Sequence, residues 1–269
     1  MDGVKPRLQS RRRFEGASLN SPPLLRCLAG LGVAEVAASA LSLAERWSPW
    51  LAWTDAITLS AVLGLGAAAA PASAQPTARA VIDDCQRVRQ DLSQAIATNA
   101  VLASGLASGL TSRTAMAADS PPLDDTGLTG LHRHYQAHQR AMDERIAPLR
   151  ARVRAALTGQ SGDLARLAAL DALLDQALAA RQRRLLATVP GWLDKHFKRA
   201  PTALPAAAAE WQRMLLAELD LRLQPVEAMI EALAQAATIR AGNLATKSAT
   251  KPATNSAANP AGKLAKRPA

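Results

Sequence analysis

Residues 128–157 read LTGLHRHYQAHQRAMDERIAPLRARVRAAL. Large or apolar side chains recur there at Leu128, Leu131, Tyr135, His138, Met142, Ile146, Leu149, Val153 and Leu157, with Ala156 beside the last. Intervals of three and four lay them along one narrow stripe, so the spacing predicts a long helix with a coiled-coil-like seam. Pro148 predicts a kink in it. Gly159 and Gly162 bracket a turn, and Ser161 can cap a second long helix with Leu164, Leu167, Leu174, Leu178, Leu185 and Val189 on one side. Two amphipathic helices joined by so short a loop are antiparallel neighbours. The fold class is therefore all-α, a helical bundle with long antiparallel amphipathic helices.

Composition supports that class. The chain is 49% hydrophobic but only 3% aromatic, and much of the rest is Ala, which suits closely packed helices better than sheets. Charge is partitioned as well. Residues 1–20 carry five Lys/Arg against two acids and residues 241–269 carry five against none, leaving the middle of the chain near neutral within a total of +10. Both ends read as disordered basic arms.

Between the arms, Ser21-Pro22-Pro23 starts a helix with Ser21 as cap and Pro22 in the first turn, followed by helix over Leu24–Leu31 that stops near Gly30 or Gly32. A second helix runs from about Ala34 to Trp47, with Val36, Ala40, Leu43 and Trp47 at apolar spacing. Ser48-Pro49 starts a third, ending near Gly64. Residues 67–77 are a linker, and Thr77 caps a helix over 78–98 whose stripe is Val81, Cys85, Val88, Leu92 and Ile96. Ser, Gly, Pro and Asp make 103–127 a flexible loop. Pro190-Gly191 disturbs the chain before Trp192, Leu193 and Phe197. The last helix spans about Ala206–Arg240, with Trp211, Leu215, Val226, Ile230 and Leu233 as core and a kink at Pro225. The organisation is thus an arm (1–20), an N-terminal helical segment (21–66), a linker (67–77), a helical body (78–240) with its loop, and a tail (241–269).

Each pattern that suggests chemistry has a plainer reading. His134 and His138 at i,i+4, with His132 nearby, form a possible metal pair, but no Cys or second His pair supplies further ligands. Gly64-Leu65-Gly66-Ala67-Ala68-Ala69 has the form of a dinucleotide fingerprint, with Asp83 and Asp84 downstream, yet a helix precedes it where the chemistry needs a strand. Asp163, Asp171 and Asp175 lie on one helix, where Asp171 and Asp175 read as a solvated face. Trp47, Trp50 and Trp53 share an arc with Leu43 and Ile57 and read as core, with a partner surface as the alternative. Cys27 and Cys85 sit in apolar-periodic segments and read as buried reduced thiols. No catalytic, cofactor-binding or metal residue is assigned, and no cofactor is expected.

Ala56–Ala70 followed by Pro71-Ala-Ser-Ala-Gln imitates a secretory signal, but some fifty residues separate it from the chain start. It is also too short to span a bilayer, which takes ~20 apolar residues. No membrane span is expected, and the expected compartment is the cytoplasm. In the tail, Lys247, Lys251, Lys263, Lys266 and Arg267 are scattered among Ala, Pro and Thr, a composition similar to linker-histone tails that bind DNA phosphates without reading sequence.

Ala44-Glu45-Arg46-Trp47 and the run from Trp50-Leu51-Ala52-Trp53-Thr54-Asp55 to Ser60 resemble the N-terminal signature of an uncharacterised proteobacterial family, a domain of unknown function. Ala147-Pro148-Leu149-Arg150-Ala151-Arg152, Leu167-Ala168-Ala169-Leu170-Asp171, Leu185-Leu186-Ala187-Thr188-Val189-Pro190 and Ala217-Glu218-Leu219-Asp220-Leu221-Arg222-Leu223-Gln224-Pro225-Val226-Glu227 resemble it further, over roughly 21–235. The family has no established site residues to carry over. Its members are encoded beside proton-channel-type motor proteins and peptidoglycan-binding outer-membrane-type proteins, so the resemblance implies an accessory or adaptor role. The expected function is a non-enzymatic interaction protein with protein partners or a second copy of itself. The alternative is a nucleic-acid-associated protein binding through its basic tails.

Overall fold

The computed structural model describes residues 22–32, 45, 49, 51–64, 77–109, 125–199 and 204–249. Among them are α1 (Pro23–Gly30), α2 (Trp53–Gly64), α3 (Ala78–Gly109), α4 (Asp125–Thr158), α5 (Gly162–Leu186), α6 (Val189–Arg199) and α7 (Leu204–Ala249), and no strand. The expected second helix and the linker, apart from Glu45 and Thr77, lie outside the described residues, as do both basic ends except for 241–249.

Local signals set most helix ends. Pro22 is the N-cap of α1 and Pro23 its first residue, one position later than expected, since a proline at N1 forfeits no hydrogen bond. Past α1, Gly32 takes φ +69°, a conformation that favours glycine. Helix α2 starts four residues beyond Pro49, at Trp53, because the Asp55 carboxylate accepts a 2.9 Å bond from Ala52 N–H, one half of a capping box. Thr77 and Ser161 accept from Ala80 N–H and Leu164 N–H, both at 3.3 Å, and so cap α3 and α5.

Two spans exceed expectation. Helix α3 runs on to Gly109 and α4 begins at Asp125, so both ends of the supposed loop 103–127 are helical. Helix α7 likewise continues to Ala249, nine residues into the supposed tail. Extending an existing helix costs far less than nucleating one, and the Ala-rich sequence there favours helix. Pro148 and Pro225 are both taken up inside their helices. Pro190 does not break the chain either: the turn falls at Ala187–Thr188, and proline sits in the first turn of α6, where it is tolerated.

Ion pairs give the helix directions. Asp84 and Asp91 of α3 meet Arg152 and Arg145 of α4, so these helices are antiparallel. Asp171 and Asp175 pair with Arg154 and Arg150 across the 159–161 turn, making α4 and α5 antiparallel. Helix α7 runs parallel to α4, because Tyr135 bonds Glu218 and Asp143 pairs with Arg222. The α4 seam is buried along its whole length, Tyr135, Met142, Leu149 and Val153 completely, and the α3 stripe from Val81 to Ile96 packs beside it. Trp211, Leu215, Val226 and Leu233 are buried as expected, while Ile230 is half-buried.

Helix α5 departs from its expected stripe. Its buried residues are Leu164, Ala165, Ala168, Asp171 and Leu186, whereas Leu167, Leu174 and Leu178 are half-buried and Leu185 is exposed. Small residues let α5 approach α4 closely, and the arginines of α4 fix which face turns inward. The packed body extends to Leu233; Ala234–Ala269 forms a separate unit, in which Ile239 is exposed.

Candidate functional site

The interior of the body holds a polar network centred on Glu218 of α7, which is 0% exposed. Tyr135 Oη donates to its carboxylate at 2.8 Å, and Gln139 Nε2 donates to both carboxylate oxygens at 3.1 Å and to Leu186 C=O at 2.9 Å. Arg222, one turn along α7, donates through Nε at 2.9 Å and Nη2 at 2.8 Å, and its Nη1 reaches Asp143. A buried carboxylate is tolerable only with such compensation. Burial, then the negative charge and hydrogen bond of Glu218, push the Tyr135 hydroxyl well above its ordinary pKa, with Arg222 opposing.

A second network locks α4 to α5. Arg150 donates Nε and Nη2 to Asp171 at 2.9 and 2.5 Å, and Nη1 to Asp175 at 2.7 Å. Arg154 donates to Asp171 and Asp175 at 2.6 Å each. For Arg154 burial alone works against the charge, but hydrogen bonds to both aspartates outweigh it and raise the pKa. The expected solvated face at Asp171 is thus corrected: its side chain is 10% exposed because two guanidiniums occupy the opposing surface. Asp163, by contrast, is exposed.

The histidines diverge. His132 Nδ1 lies 2.6 Å from Asp194 Oδ2 on α6, and Gln136 Nε2 lies 3.1 Å from His132 Nε2. Both nitrogens are engaged, which fixes the orientation of the ring. A cleft of about 370 Å³ opens here, lined by Thr129, His132, Arg133, Gln136, Asp194 and Lys198. His134 is exposed, whereas His138 is buried on the seam, where desolvation and then the charge of His134 lower its pKa. Their i,i+4 spacing therefore does not produce a shared site. Among the described residues no three His, Cys, Asp or Glu side chains converge to hold a metal ion. Cys85 is buried and Cys27 half-buried, both free thiols; burial pushes the Cys85 thiol up, assisted by Glu227 and opposed by Arg89.

The tryptophan arc also needs correction. Trp53 is 80% exposed, Ile57 54% and Leu63 56%, and no residue of α2 is buried, although the helix lies against α5. With apolar residues all around a helix, one contact covers only one side. Trp47 and Trp50 lie outside the described residues, as does the Gly-rich stretch beyond Gly64.

Sequence reasoning missed the Glu218 network. Its one signal was charge inside an otherwise apolar run, Ala217-Glu218-Leu219-Asp220-Leu221-Arg222-Leu223. No described helix is long and apolar enough to cross a membrane. No curated protein and no solved structure matches the chain. One family does, described as a protein of unknown function (DUF3348), over residues 9–210, a range that holds α1 through α6 and the first turns of α7. The chain belongs to the DUF3348 family.

Proposed function

We propose that the chain is a non-enzymatic helical interaction protein whose recognition element is α2, working as a cytoplasmic accessory to an envelope motor-like system. The observation that carries the reading is Trp53, 80% exposed on a helix with no buried residue. A helix that is apolar all round belongs in an interior, and exposed Trp is the residue type most enriched among binding hot spots. The only charge on α2, Asp55, is turned to the backbone N–H of Ala52, so the face offered to a partner is uncharged. The fitting partner is a protein with an apolar groove that accepts a short helix through anchors one turn apart, here Trp53 and Ile57. The polar groups inside the body support the same reading, since Glu218, Arg222, Asp171 and His132 are saturated by one another and by their neighbours.

Purification from native cells with quantitative identification of co-purified proteins tests this. Proteins recovered with the wild-type chain should be lost with Trp53→Ala/Ile57→Ala, while the thermal midpoint stays unchanged. Unaltered recovery in the double variant would move the recognition surface elsewhere.

A further inference from the structure

A cavity of about 240 Å³ opens between α4, α5 and α7. Its walls can be ordered by height, because ion pairs fix the register of the three helices. Arg150 of α4 meets Asp175 of α5 at one end. Seven residues back along α4 stands Asp143, and seven residues on along the antiparallel α5 stands Gln182, so Asp143, Gln182 and Arg183 are level. Arg222 of α7 joins that level through its pair with Asp143. One turn further in, ~5.4 Å, the lining is apolar: Ile146 and Ala147 of α4, Ala179 of α5 and Pro225 of α7. The cavity is therefore layered, with charged groups at one end, an apolar middle, and the Arg150–Asp175 pair as its floor.

The charged end keeps hydrogen-bonding capacity of both kinds. Arg183 is exposed, and neither its guanidinium nor the Gln182 amide has a partner among the described residues. Asp143 accepts from Arg222 through Oδ1, and no described donor reaches its Oδ2. Charge around the cavity is nonetheless matched. Arg150 and Arg154 balance Asp171 and Asp175. Arg222 faces two carboxylates, Glu218 and Asp143, and Arg183 is the fourth cation. An anion alone would meet Asp143, and a cation alone would meet Arg183. A ligand with one charge of each sign satisfies both and leaves the balance unchanged.

We propose that this cavity binds a free α-amino acid with an aliphatic side chain. Its carboxylate lies against Arg183 and Gln182, its ammonium against Asp143, and its side chain in the apolar layer. The two charges of such a zwitterion sit side by side at one end of the molecule, as Arg183 and Asp143 do in the cavity. A small, mostly apolar space with a few polar groups that fix orientation is the usual form of a small-molecule site. The site contains no α2 residue and is independent of the proposed partner helix.

Calorimetric titration of the full chain with leucine tests this, beside its two halves: 4-methylpentanoate, which lacks the ammonium, and 3-methylbutylamine, which lacks the carboxylate. Leucine should bind saturably, one per chain, and raise the thermal midpoint. Each half-ligand should bind at least about tenfold more weakly, and Arg183→Gln should weaken leucine by a similar factor, the effect of losing one charge-assisted hydrogen bond. Ala179→Leu fills the apolar layer without changing any charge and should abolish binding. Absence of leucine binding overturns the proposal, as does equal binding of either half-ligand. Wild-type affinity in both variants overturns it too, since leucine would then sit elsewhere. If circular dichroism shows one variant unfolded, the other decides.

Discussion

Glu218→Ala leaves Arg222, whose side chain is only 8% exposed, with an uncompensated charge on one side. Removing one member of a buried pair costs about 3–5 kcal/mol, so this variant should lose a large part of the chain's stability in denaturant melts. Glu218→Gln keeps the shape and part of the hydrogen bonding and should fall between it and wild type. Tyr135 adds a pH signature. Its folded-state pKa lies above the unfolded value near 10, so its contribution is complete below about pH 10 and is lost as pH rises beyond it. Stability measured across that alkaline range should fall more steeply in wild type than in Tyr135→Phe; parallel curves would show that Tyr135 is not the group responsible. Little of this site was legible in the sequence. An acid inside an apolar run has the same appearance whether it is solvated or buried, and what decides between them is which groups a distant helix presents, here Tyr135 and Gln139, 83 and 79 residues away.

Helices were far more legible than side-chain networks, because periodicity reports on burial directly. Every residue of the α3 stripe and the α4 seam is buried, since both helices have packed partners. Periodicity failed on α5, where leucines outnumber the residues that face inward. Ala165, Ala168 and Asp171 are buried because Arg150 and Arg154 hold that face against α4, and a hydrophobicity count cannot register an attraction between charges. Asp171→Ala should therefore cost about 3 kcal/mol or more, unlike an exposed aspartate such as Asp163, whose replacement should stay within ~0.5 kcal/mol. Helix α2 reverses the expectation of a core tryptophan. Trp53→Ala should lower the unfolding free energy obtained from denaturant melts by no more than ~0.5 kcal/mol, whereas the buried Trp211 should cost ~3–5 kcal/mol on the same change. Equal losses at the two positions would restore Trp53 to the core.

At the scale of the whole molecule, the boundary of the cooperative unit follows from where α7 stops burying side chains. Met229 and Leu233 are each 2% exposed, whereas 234 and 235 and every described position from 237 to 243 are exposed. Ending the chain after Leu233 removes helix and tail but almost no buried apolar surface, so the midpoint and the denaturant slope should both match the full chain, the slope tracking surface exposed on unfolding. Ending it after Ala228 removes both buried side chains, at ~2–5 kcal/mol for each such deletion, and should leave a weakly stable body. Helicity measured by circular dichroism should decrease in the first truncation without loss of cooperativity, because residues 234–249 are helical but form a separate unit. A chain ending at Leu233 that melts early or gradually would mean that the exposed end of α7 supports the body, and the unit would have to be redrawn to include it.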